Sequence, residues 1–147
     1  MEIKRVKPAT NAVNLNLTTS IKQSLTPEII AGKLFSYHNK AHFYHLQTDT
    51  IGKHLLLDEL YKGLVDSKDA ICEFMLGSQA PTRFASITID QIEPYSESAL
   101  MSFINEGVQF SIDLCNYADM RGLEELCNLS SELQGIFTKA KLFITYK

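Results

Sequence analysis

Residues 50–77 read TIGKHLLLDELYKGLVDSKDAICEFMLG. At 100° per residue, Leu57, Leu60, Leu64, Ile71 and Met75 fall on one stripe, the pattern of a helix that faces a core. The polar run QTDT (47–50) precedes it, where Thr48 or Asp49 can cap, and Gly77 supplies a stop. The spacing therefore predicts a helix from about Thr50 to about Leu76. A second strip runs along the same segment. With His54 taken as zero, Asp58 lies at about 40°, Asp69 at about 60° and Glu73 at about 100°. Val65 and Cys72 fall between them and Tyr61 at the edge, so this strip is not a simple solvated charged face.

Working outward, Thr26-Pro27-Glu28 is a helix start: a Thr cap, Pro at the first position and an acid in the first turn. This predicts a first helix from about Pro27 to about Leu46, with Ile30, Leu34 and Tyr37 inward. After Gly77 comes a connection of roughly 20 residues, long for a compact domain unless it crosses over. A third helix is expected from near Ser96 to Tyr117, with Met101, Ile104, Val108 and Ile112 in register. Asp119 can cap a fourth, which carries Leu123, Leu126, Leu129, Leu133 and Ile136 or Phe137. The expected fold class is all-α: an up-down four-helix bundle with a long crossover between the second and third helices. Residues 1–147 form a single domain, with 1–25 an extended arm.

The bulk numbers narrow the function. The chain has 147 residues, 45% hydrophobic and 21% charged, with net charge −3. That balance disfavours strong binding of nucleic acid by the whole surface. The one basic cluster is Lys4, Arg5 and Lys7. There is no apolar run of about 18 residues, hence no membrane span, and no secretory leader is expected at the N-terminus. Cys72, Cys115 and Cys127 are odd in number and far apart, which predicts reduced thiols in a cytoplasmic setting.

All four histidines, His38, His42, His45 and His54, fall within 17 residues. Of these, His54 shares a helix face with Asp58, as Asp69 does with Glu73. Asp58 and Asp69 stand roughly 16 Å apart along the axis, whereas the ligands of one ion lie within about 2–3 Å of it. One helix cannot bring both pairs to one metal. Two copies packed antiparallel about a two-fold axis can, giving two equal composite sites. His42, at the end of the first helix, would fold back to join His54. Imidazole with carboxylate suits iron, with zinc or manganese as competitors.

These positions resemble the Dps-like miniferritins, the starvation-type ferritins of the ferritin-like superfamily. That family carries a His, a second His 12 residues on, an Asp four later, an Asp 11 further and a Glu four further. Here they are His42, His54, Asp58, Asp69 and Glu73. Asp58-Glu59-Leu60-Tyr61 and Leu76-Gly77 also match the family's habit; the aromatic after the first His, Trp in many members, is Phe43. The resemblance implies a ferritin-like bundle in a hollow dodecamer built from two-fold dimers. It further implies di-iron ferroxidase centres between subunits, Fe(II) oxidation with hydrogen peroxide or oxygen, and storage of ferric mineral against oxidative damage. His42, His54 and Asp58 would come from one subunit, Asp69 and Glu73 from its neighbour.

Each feature also has a plainer reading. His54 and Asp58 alone suit a surface or capping pair on a helix, Asp69 and Glu73 alone a solvated face, and Lys4, Arg5 and Lys7 a solubilising tail. His38 and His45 match no family position. Cys72 and Tyr61 are read as interface packing, Tyr61 being also able to donate to a ligand carboxylate. Two rival functions follow: a DNA-binding protective shell with minor iron chemistry, in which Lys4, Arg5 and Lys7 act by multivalency, and a ferritin-like structural or protein-binding module.

Overall fold

The Thr26 hydroxyl accepts from the Ile29 N–H at 3.3 Å, and Pro27 follows at the first helical position. This start opens α1 (Pro27–Gln47) in the computed structural model, which describes residues 24–79 and 83–146. Next come α2 (Ile51–Ser78), α3 (Glu97–Asp119) and α4 (Glu124–Thr145). Among the described residues there is no strand. None of these helices is long and apolar enough to cross a membrane. The expected arm lies outside the described residues except for Ser24 and Leu25, as do Lys4, Arg5 and Lys7.

The five inward residues expected of α2, Leu57, Leu60, Leu64, Ile71 and Met75, are all buried. So are Ile30, Leu34 and Tyr37 of α1. α1 pairs with α2 and α3 with α4, and α2 packs on α4. At the centre Phe137 lies edge-on to Phe103 at 5.7 Å and to Tyr37 at 5.6 Å between ring centroids, a favoured aromatic arrangement.

Several boundaries differ from expectation. Gly77 does not stop α2, which runs on to Ser78. Asp119 does not cap α4; it is the last residue of α3. Gly122 (φ +66°) makes the reversal. Its N–H donates to the Asp119 carbonyl at 3.2 Å, and the Leu123 N–H donates to Ala118 at 3.0 Å. This is the two-bond C-terminal pattern that glycine favours. The inward phase of α3 is also rotated. Leu100, Phe103, Ile104, Gly107, Phe110 and Leu114 are buried, while Met101 and Val108 are half-buried and Ile112 is exposed. The expectation of three separate reduced thiols fails for two of them. Cys115 and Cys127 form a disulfide, with Cα atoms 4.3 Å apart, because the turn at Gly122 folds α4 back along α3.

The described part of the long connection lies along α1. Thr88 rests on Gly32. The Asp90 N–H donates to the Ser36 hydroxyl at 2.8 Å, and Lys33 pairs with Asp90 at 2.9 Å. The Tyr95 N–H then donates to Gln47 Oε1 at 2.7 Å, and Lys53 pairs with Glu97. The connection thus follows α1 from its first turns to its last, so α3 starts at the end where α2 starts. A Cβ at Gly32 would stand 2.5 Å from the Thr88 carbonyl oxygen, a contact with backbone that cannot rotate away. Gly32→Ala is therefore expected to cost about 1–3 kcal/mol. Chemical denaturation checks the loss, and faster proteolysis within 83–96 checks its cause.

Candidate metal centre on the first two helices

The α1–α2 hairpin brings all four histidines to one side, around Tyr61. Here α1 descends with His38, His42 and His45 about one turn apart, and α2 returns with His54, Asp58 and Tyr61. The His42 ring stacks on Tyr61 at 4.6 Å. The His38 ring lies 6.4 Å from His42 and 6.3 Å from Tyr61. The His45 and His54 rings are closest, with centroids 3.8 Å apart.

His45 and His54 are tied by reciprocal hydrogen bonds. His45 Nδ1 lies 3.0 Å from the His54 carbonyl, and His54 Nδ1 lies 3.1 Å from the His45 carbonyl. A carbonyl can only accept, so each Nδ1 carries the proton in these bonds. With Nδ1 committed to these bonds, Nε2 is the ring nitrogen left to meet a ligand. That is how a backbone carbonyl orients a metal-binding imidazole. His45 was outside the expected ligand set, yet it fixes the ring of His54. No helical period signals this, because the bonds cross the turn and go to main-chain oxygens.

The carboxylates sit beside this cluster and below it. Asp58 is half-buried and accepts from Lys62 Nζ at 2.6 Å. That bond, helped by the charge of Lys62, by His45 and by a hydrogen bond from Tyr61, holds its pKa below the usual carboxylate value. Asp69 and Glu73 are exposed further along α2, and Asp69 lies 3.3 Å from Lys68 Nζ. Lys68 in turn lies over the Phe35 ring at 4.5 Å. The His38 imidazole has its pKa lowered first by burial, then by the charges of Lys68 and His42. Cys72 is half-buried, and burial pushes its thiol up to about 11. At neutral pH it is a thiol and not a thiolate, which suits packing and not ligation.

Within one chain the five expected ligands do not converge. The one close set of three His, Cys, Asp or Glu ligand atoms among the described residues is elsewhere, at Cys115, Asp119 and Cys127. His42, His54 and Asp58 stand near the α1–α2 turn, and Asp69 and Glu73 some three turns along α2. Both groups face solvent in part. Compared with protein-family models, curated proteins and solved structures, the chain matches none.

Proposed function

We propose that the chain binds Fe(II) and oxidises it at sites shared between two copies of α2, storing the ferric product as a Dps-like miniferritin does. The observation that carries this reading is the reciprocal His45–His54 bonding, which fixes the His54 ring on the helix one turn before a half-buried carboxylate, Asp58. Such pre-orientation has a use if a ligand arrives there. The path of the connection along α1 fits the crossover of a ferritin-like bundle. A two-fold dimer would bring His42, His54 and Asp58 of one subunit to Asp69 and Glu73 of the other, and dimers would build the hollow dodecamer. Each Fe(II) gives up one electron; two electrons and two protons convert one hydrogen peroxide to two waters. Zinc or manganese would compete for the same ligands. We place this activity in the cytoplasm.

One observation favours the reading as a module without activity: Asp58 is already paired with Lys62. Iron must displace that ammonium. The pair is solvent-exposed on the Lys62 side, where water screens the attraction and such bridges are weak, so it leaves the carboxylate open to exchange with a divalent cation. Stopped-flow absorbance after Fe(II) addition decides between them. The expected result is a ferric signal well above the protein-free control, weakening in acid because coordination needs neutral imidazole and ionised carboxylate. A trace that superimposes on the control removes the ferroxidase reading and leaves the module.

A further inference from the structure

The turn between α3 and α4 gathers a different set of ligands. Cys115 and Asp119 are one turn apart on α3, and their Sγ and Oδ2 atoms lie 4.0 Å apart. Cys127 arrives from the first turn of α4, across the reversal made by Gly122. One ligand atom from each of the three residues lies within 4.8 Å of the others. Both cysteines are half-buried and Asp119 is exposed, so the group is walled by protein on one side and open to water on the other. The carbonyl end of α3 adds negative potential there, which favours a cation.

Tetrahedral zinc binds thiolate at about 2.3 Å and carboxylate oxygen at about 2.0–2.2 Å. Neighbouring ligand atoms then stand roughly 3.5–3.8 Å apart, close to the Cys115–Asp119 spacing already present. Two thiolates and a carboxylate make a soft, triply negative set that selects zinc over magnesium or calcium. The two sulfurs are bonded to each other in the structure, so the same atoms serve either a metal or a disulfide, never both.

We propose that Cys115, Cys127 and Asp119 form a redox-gated zinc site: occupied when the pair is reduced, emptied when it closes to the disulfide. In the discharging step both S–Zn bonds break and the S–S bond forms. Each thiolate loses one electron. Hydrogen peroxide takes the two electrons and two protons, its O–O bond breaks, and two waters result. Zinc leaves as the aqua ion, and the Asp119 carboxylate returns to solvent. A dithiol reductant reverses the step by supplying two electrons and restoring the two thiols. None of the α2 ligands takes part, so the site stands or falls apart from the ferroxidase reading.

The full-length chain with Cys72→Ser, reduced and freed of reductant, tests this with zinc and with cobalt(II) as its coloured substitute. The expected result is one thiolate-bound ion per chain, counted by thiolate-to-cobalt charge-transfer absorption that imidazole and carboxylate ligands on α2 cannot produce. Cys115→Ser should weaken binding by about 100-fold or more and Asp119→Asn by about 10-fold. Hydrogen peroxide should release one zinc for every two thiols lost. Circular dichroism establishes that each variant is folded, and Asp119→Asn, at an exposed position, keeps the test available if a cysteine variant is not. A reduced chain without the thiolate band overturns the site. Failure of oxidation to release one zinc for every two thiols lost overturns the gating.

Discussion

Phe137→Ala is expected to remove about 3–5 kcal/mol of stability, a large share of the roughly 5–15 kcal/mol that a domain possesses. Phe137 is fully buried. Its ring meets Phe103 and Tyr37 edge-on and lies over Gly107, where a Cβ would come within 2.4 Å of ring carbons. Truncation therefore loses the ring's transfer energy, two aromatic contacts and the filling of the notch at Gly107. Urea denaturation monitored by circular dichroism measures the loss as a lower midpoint at unchanged slope. A loss below about 1 kcal/mol would mean that the aromatic cluster does not hold α3 and α4 together.

Asp58→Ala and Glu73→Ala should each lower Fe(II) binding by about 100-fold or more, since each leaves every composite site one carboxylate short. Mixing the two variants gives the sharper result. A dimer of one Asp58→Ala subunit and one Glu73→Ala subunit holds one doubly damaged site and one intact site. After unfolding and random reassociation, about a quarter of the wild-type sites should return, by counting pairs under two-fold symmetry. Iron titration reads this directly. A mixture as inactive as its parents would show that the pairs on α2 do not meet across subunits.

Much of the fold was legible because α1 and α2 bury what their patterns promise. Leucines and isoleucines at helical spacing dominate the free energy of those faces. The phase of α3 was misread for a physical reason. Its inward face contains Gly107 and Ser111, residues that a hydrophobic pattern discounts. Gly107 is inside because it admits the Phe137 ring. Ser111 is inside because its hydroxyl donates to the Gly107 carbonyl at 2.8 Å and is satisfied there. The start of α4 was misplaced because Asp119 resembles a cap, while the actual stop is set by the positive φ of Gly122.

For the candidate sites, spacing alone could identify His54, Asp58, Asp69 and Glu73 as one strip. It could not assign His45, whose importance lies in backbone carbonyls across a turn. Nor could it pair Cys115 with Cys127. Their separation of 12 residues becomes a contact only once the reversal between them is known.

The path of the long connection also orders the folding reaction. α1 with α2, and α3 with α4, are neighbours in the chain, so each hairpin closes a short loop at low entropic cost. The seat for Thr88 and Asp90, made by Gly32 and Ser36, exists only once α1 is helical. Laying residues 83–96 into it is therefore expected to follow the rate-limiting barrier. Gly32→Ala should then leave the refolding rate unchanged and speed unfolding, placing its whole effect on one arm of the chevron.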